Sequence, residues 1–324
     1  MVEFGGWSMP VQYSSIIDEH QAVRSGLGVF DISHMGQFFV SGPGALSWLN
    51  RMLTNNVERL SVGECQYTFL LNCEGGVIDD LIVYRIEEER YLLVVNAAKI
   101  DEDLAWLQKH TAPDAKLENR SDEFAGLAVQ GPRSAQLFDS FFSGRYSRPA
   151  RNEILNITID GAPYYIARTG YTGEDGFEVF CTAGRAVKTW NDILERGSQF
   201  GIKPCGLGSR DTLRLEMCYP LNGSDLSPAR TPIEAGLSIF VDLQKSDFVG
   251  REALLAQKAR HFASPGSFQD GGENAAAAGS LPNPQGRQAD CRNIERIAFT
   301  NPRRWHRHGL HSGRIRPHQR THRN

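Results

Sequence analysis

Apolar positions along the chain repeat with two periods, two residues and about 3.6 residues, and the switches between them predict the elements. SSIIDEHQAVRSG, residues 14–26, has a helix-start signature at Ser15 with Asp18 three residues on, and a stop at Gly26. VFDISHMGQFFVSG (29–42) alternates as one strand, with Ser33-His34-Met35 in its middle. GPGALSWLNRMLTNN (42–56) follows as a helix with Leu46, Leu49, Met52 and Leu53 on one face. CQYTFLLN and VIDDLIVYRI read as a hairpin joined at Glu74-Gly75-Gly76. RYLLVVNAA is a strand, and DEDLAWLQKH a short helix capped by Asp101. VSGPGALSWL (40–49) and VQGPRSAQLF (129–138) share a strand, a Gly-Pro and an amphipathic helix, with Pro in the first helical turn. This weak repeat suggests a duplicated α+β unit of roughly 100 residues. The second copy continues through ILNITIDG, PYYIART, FEVFCT, a helix over 185–197 and a helix after GLGS. The expected organisation is two α+β lobes, 1–124 and 125–260, followed by a tail, 261–324.

Length and composition bear this out. A chain of 324 residues exceeds one ordinary hydrophobic core, and 40% hydrophobic with 23% charged residues is typical of a soluble globular protein. No apolar run approaches the roughly 18–20 residues that span a bilayer, and MVEFGGWSMP lacks the basic and apolar regions of a signal peptide. Six cysteines without a CxxC pair predict reduced thiols and no metal site. The tail differs from the rest: ten arginines and no lysine against four acids give it a net +6, leaving −9 elsewhere, and it holds six of the nine histidines. A basic RNA-binding arm and zinc held by His-x-His pairs are two readings. A low-complexity segment, disordered or translated out of frame, fits the composition better, because such a segment cannot offset chain entropy with a core.

Three stretches carry candidate chemistry. In GGVIDDLIVYR, alternation puts Asp80 on one strand face with Ile82 and Tyr84, and Asp79 on the other with Leu81 and Val83. One aspartate could cap the Gly-Gly turn; the sharper reading sets Asp80 on a concave wall, where it orients a protonated nitrogen. In RTGYTGEDGFEVF, three glycines around Tyr171 permit close approach of a backbone. Glu178 opposes Phe177 and Val179, and either faces water or pairs with adjacent N–H groups of a flat heterocycle stacked on Tyr171. In CGLGSRDTLRLEM, Ser209 reads as an N-cap and Arg210 as a first-turn cation. There Arg210 either makes a carboxylate site with the free N–H groups or is neutralised by Asp211. No phosphate loop, dinucleotide fingerprint, HExxH or nucleophile elbow is present. His34 could serve as a general base, although a lone strand histidine is more often structural.

Taken in order, MVEFGGWSMPVQY, GVFDISHMGQFFVSGP, GGVIDDLIVYR, VVNAA, AVQGP, RTGYTGEDGFEVF, KPCGLGSRDTLRLEM and DFVGREALL resemble the aminomethyltransferases, the T-protein family of the glycine cleavage system. The resemblance spans residues 1–260. It implies two related ferredoxin-like lobes around a central folate channel, closed by a C-terminal β-barrel as the third lobe of a ring. It implies transfer of an aminomethyl group from the lipoyl arm of the H-protein to tetrahydrofolate, giving 5,10-methylenetetrahydrofolate, ammonia and dihydrolipoyl H-protein. Asp80 matches the catalytic carboxylate and Glu178 the pterin-edge carboxylate. Tyr67, Ile82, Tyr84 and Tyr171 match folate-lining positions, Arg210 the cation near folate, and Met35 and Asn96 pocket neighbours. The implied protein is a monomer without nucleic-acid or membrane partners, cytoplasmic, or of the mitochondrial matrix if eukaryotic. Two departures stand out: the chain begins inside the first motif, and no barrel strands follow REALLAQKA. The second implies poor stability and little turnover, or a catalytically impaired folate-binding relative. Iron–sulfur assembly relatives would carry a KGCYxGQE-type motif, and demethylase-associated domains follow a flavin domain; neither feature is present.

Overall fold

In the computed structural model, residues 1–142 and 146–263 are described, the last three as backbone only. The chain opens with a hairpin of β1 (Val2–Phe4) and β2 (Trp7–Met9), then α1 (Ile16–Ser25). Ser15 Oγ accepts from Asp18 N at 3.1 Å and the Gly26 N–H bonds to Ala22 O, so both ends of α1 are where the capping residues predict. There follow β3 (Gly28–Asp31), β4 (Gly36–Ser41), α2 (Ala45–Met52), β5 (Cys65–Leu71), β6 (Val77–Glu87), β7 (Arg90–Val95), α3 (Ile100–Lys109) and β8 (Lys116–Asn119). Then come β9 (Phe124–Gln130), α4 (Ser134–Phe142), β10 (Ile154–Ile159), β11 (Ala162–Ala167), β12 (Gly176–Thr182), α5 (Ala186–Gly197), β13 (Lys203–Cys205), α6 (Leu207–Glu216) and α7 (Arg251–Ala263).

The strands form two open sheets besides the first hairpin. One is antiparallel, in the order β5-β6-β7-β4-β8. The other runs β10-β11-β12-β9-β3-β13, antiparallel except for the β3–β13 pair. Their side chains sort by the two-residue period. Phe39, Tyr84, Ile86, Leu92 and Val94 of the first sheet meet Phe30, Ala128, Tyr165, Ala167 and Phe180 of the second in one buried core between the sheets. The alternate residues Phe38, Val40, Leu81, Val83, Leu93 and Val95 pack outward with α2 and α3. Phe177 and Cys181 pack with α4, and Leu127 and Val129 with α4 and α5. The result is helix, sheet, sheet, helix, with both faces of both sheets covered.

Three expectations are corrected. The run 29–42 is two strands, because Asp31 Oδ1 accepts from Ser33 N and Met35 N bonds to Ile32 O, turning the chain from the second sheet into the first. Helix α3 starts at Ile100, so Asp101 lies inside the first turn and supplies no cap. The two Gly-Pro pairs precede their helices rather than entering them; Gly42 and Gly131, at φ 109° and 137°, make the same bend into α2 and α4. After α6 the chain returns across the tip of the β5–β6 hairpin, where Leu226, Leu237, Phe240, Phe248 and Leu254 bury Phe69, Leu71 and Val77. Gly76 permits this: a Cβ there would lie 1.8 Å from Pro228 O. Cys65, Cys73, Cys181 and Cys205 are free thiols, as expected. Cys218 is not among these free thiols. No helix among the described residues is long and apolar enough to cross a membrane. The expectations for the tail and for a barrel lie, beyond Ala263, outside the described residues.

Candidate active site

Asp79 and Asp80 part at the level of the sheet. Asp80, with Ile82 and Tyr84, is on the inter-sheet face of β6, while Asp79, with Leu81 and Val83, is on the face turned to the helices. Neither caps the hairpin turn. That role belongs to Asn72, whose Oδ1 accepts from Glu74 N at 3.0 Å and Gly76 N at 2.9 Å. Asp79 is fully buried and accepts from Asn96 N at 3.0 Å and Asn96 Nδ2 at 2.8 Å. The same Nδ2 lies 2.9 Å from Asp80 O and 3.2 Å from Asp80 Oδ1. Tyr67, whose backbone partner on β6 is Ile82, reaches diagonally along that face and donates its hydroxyl to Asp80 Oδ2 at 2.8 Å. Burial, followed by the Asp79 charge, raises the Asp80 carboxyl from 3.8 to about 7, against the opposing bonds from Tyr67 and Asn222.

Asp80 opens onto a cavity of about 410 Å³ at one end of the inter-sheet gap. Of the residues singled out in the sequence, Met35, Tyr67, Ile82, Asn96, Tyr171, Glu178 and Arg210 line it together with Asp80. Tyr84 does not. It is fully buried behind the wall, its hydroxyl 3.2 Å from Thr169 Oγ1 and donating to Glu178 Oε2 at 3.3 Å. Thr169 Oγ1 also donates to that oxygen, at 2.5 Å. Glu178 is only 8% exposed, so the water-facing alternative fails. Burial raises its pKa, while the hydroxyls and Arg210 favour its charge.

The glycines around Tyr171 make room for protein. A Cβ at Gly170 or Gly176 would fall 2.0 or 2.3 Å from the side chain of Gln130, which is buried, donates to Thr169 O and accepts from Thr172 Oγ1. Paired bonds of 2.8 Å from Arg168 to Asp175 close the loop. Tyr171 donates its hydroxyl to Pro220 O, stacks on Tyr219 with centroids 5.7 Å apart, and has the Arg210 guanidinium 4.9 Å from its ring centre.

Arg210 is placed differently from either sequence reading. Helix α6 begins at Leu207 after Gly206, so Ser209 is an interior residue. The N-terminal N–H groups are already taken: Gly206 N bonds to Glu19 Oε2 at 2.8 Å, Leu207 N to Pro10 O and Gly208 N to Val11 O. Asp211 pairs with Arg214 at 2.8 Å and leaves Arg210 alone. Among the described residues the Arg210 guanidinium makes no hydrogen bond or ion pair; burial lowers its pKa, with Tyr171 and Glu178 opposing. A desolvated cation facing a cavity favours an electron-rich or anionic ligand there. His34, 2% exposed in the β3–β4 turn, is pushed down to about 3 by burial and by Arg210, too weak a base to hold a proton near neutrality. The sequence reading missed Phe4 and Gly5 from the first hairpin, the loop 218–224 including Asn222, and Leu237 and Phe240, all on the cavity wall. No local period marks them. Phe4 and Gly5 arrive on the first hairpin, and the others on the chain that returns after α6.

A family model described as the GCVT N-terminal domain matches residues 1–245. The chain is 49% identical over 259 residues to an aminomethyltransferase of Bacillus mycoides (strain KBAB4), covering 79% of this chain and 71% of that relative. It is 46% identical over 259 residues to the aminomethyltransferase of Bacillus subtilis (strain 168), covering 79% and 72%. The crystal structure of glycine cleavage system aminomethyltransferase T from Bartonella henselae superposes with a TM-score of 0.73 at 34% identity, over 80% of this chain and 71% of that one. The chain belongs to the aminomethyltransferase family of the glycine cleavage system.

Proposed function

We propose that the cavity binds tetrahydrofolate as co-substrate, and that the chain passes to it the aminomethyl carbon from the lipoyl arm of H-protein, releasing ammonia and dihydrolipoyl H-protein. The observation that carries this reading is Asp80. It is a cavity-facing carboxylate held by Tyr67 and Asn96, with a pKa of about 7, so both protonation states are populated near neutrality. The donor set suits a reduced pterin. Glu178 Oε2 is occupied by Thr169 and Tyr84, and Oε1, without a partner among the described residues, can accept from a ring N–H or amino group. Arg210 and the Tyr171 ring offer a cation and an aromatic wall beside it.

Bound folate supplies the nitrogen nucleophiles; the protein supplies placement and proton handling. Asp80 in its ionised form would orient a folate N–H and accept its proton as that nitrogen captures the carbon and the C–S bond breaks; the thiolate released would take up the proton lost by the second folate nitrogen when the ring closes. In its acid form it would return that proton toward the leaving ammonia. Tyr67 and Asn96 keep the carboxylate aimed throughout. Folate-dependent ammonia release from aminomethylated H-protein tests the reading. The wild-type chain should release ammonia, and Asp80→Asn should lower kcat by about 10²–10⁴-fold. Folate binding without any release by the wild-type chain would instead favour the impaired-relative reading.

A further inference from the structure

Behind Asp80 lies a second acidic group that the transfer reaction does not account for. Asp103 sits on the face of α3 that covers the first sheet, fully buried, and Asp79 projects from β6 toward the same helix layer, also fully buried. Ionised, neither carboxylate can donate, and both Asp103 oxygens then lack a partner, an arrangement too costly to keep in an apolar layer. One added proton turns the repulsion into an O–H···O bond between Asp103 and Asp79. Lys99, the cation that acts on Asp103 among the described residues, is committed to Glu102 at 2.7 Å.

We propose that Asp103 is a positioning residue: it stays protonated, donates to Asp79, and thereby fixes the Asp79–Asn96–Asp80 chain against the cavity. The inference rests on Asp80 being the reacting carboxylate. Asp79 Oδ1 and Oδ2 grip Asn96 Nδ2 and N, and the same Nδ2 reaches Asp80, so a shift of Asp79 moves the carboxylate that faces the ligand. The charge balance agrees. Burial and Asp79, with a smaller contribution from Glu102, raise Asp103 to about 11 against Lys99, so of the two carboxyls Asp103 is the one that keeps the shared proton. Burial raises Asp79 too, but the bonds from Asp103 and Asn96 favour its charged form, and that charge helps to raise Asp80, where Tyr67 and Asn222 oppose it.

Two substitutions separate positioning from packing. In Asp103→Asn the amide still donates to Asp79, so kcat and its pH profile should stay within about threefold of wild type. In Asp103→Leu the donor is lost and Asp79 takes up the proton itself. Its charge beside Asp80 disappears, and the acid limb of the kcat profile should move down by roughly one pH unit. The kcat should fall about tenfold or more as Asp80 loses its register, with little change in KM. A Leu variant with unchanged kcat and pH profile, or an Asn variant as impaired as the Leu one, would overturn the proposal. An independent reading comes from the full chain carrying ¹³C-labelled aspartate carboxyls. Well above the Asp80 value of about 7, one protonated carboxyl should persist in the wild type and vanish in Asp103→Asn; its absence from the wild type would also overturn the proposal. Because that titration needs no turnover, a wild-type chain without transferase activity would count against the proposed function and leave the Asp103 result decisive.

Discussion

Asp80 holds its proton near neutrality because burial and the Asp79 charge outweigh the bonds from Tyr67 and Asn222, and that has a cost to the fold. Its native pKa, about 7, exceeds the ordinary 3.8, so between those values the native state binds more protons than the unfolded chain. Stability from this group therefore falls as pH rises from 3.8, and the loss is complete above about 7. Asp80→Asn removes the penalty. Its melting temperature should exceed that of the wild type at pH above 7 and converge with it below the ordinary carboxylate range, even as transfer is lost. Tyr67→Phe acts in the opposite sense on the pKa, deleting a donor to the ionised form. The acid limb of its rate profile should move up, with activity partly recovered at higher pH. Much of this site was legible along the chain, since the period-two alternation alone separates Asp80 from Asp79. Tyr84 lies on the face that alternation gives it, while the folate-lining place implied by the resemblance does not hold for the cavity wall: alternation names the face of a side chain but not whether that face is lined by a cavity or by the other sheet.

At the scale of elements, closure depends on a few contacts between distant segments. Glu19 of α1 accepts from Tyr13 N, Ser14 N, Gly206 N and Ser209 Oγ, joining α1 to the start of α6 from a fully buried position. Glu19→Ala strands several buried donors at about 1–3 kcal/mol each, and a urea midpoint should register a loss of more than about 3 kcal/mol. Gly76→Ala drives a methyl into Pro228 O and forces the returning segment off the hairpin tip. It should cost about 1–3 kcal/mol and loosen the loop bearing Asn222, read as a weaker folate affinity. Helix α1 was readable to both caps because capping is chemistry within four residues. The N-terminus of α6 was not, because its cap is Glu19, far away in sequence.

For the whole molecule, the core between the sheets decides how the protein behaves as a unit. Phe39 and Tyr84 from one sheet and Phe180 and Tyr165 from the other bury one another, so neither sheet retains a covered inner face without its partner. The described region should therefore unfold in one step. Trp48 under the first sheet and Trp190 on α5 over the second, monitored in variants that keep one or the other, should report coincident denaturant transitions. Phe180→Ala should shift both midpoints together by about 3–5 kcal/mol; separate transitions would show two independent lobes.

Element types, the strand faces of Asp79, Asp80 and Glu178, and the paired Gly-Pro bends were determined by the sequence itself, because each depends on sterics and periodicity within a few residues. The tertiary structure alone decided that residues 28–31 cross into the second sheet, that Glu178 is held by Tyr84 from the opposite sheet, and that the chain after α6 completes the cavity. These outcomes depend on surfaces meeting across long stretches of chain, 94 residues between Tyr84 and Glu178, and no local pattern encodes which surfaces will meet.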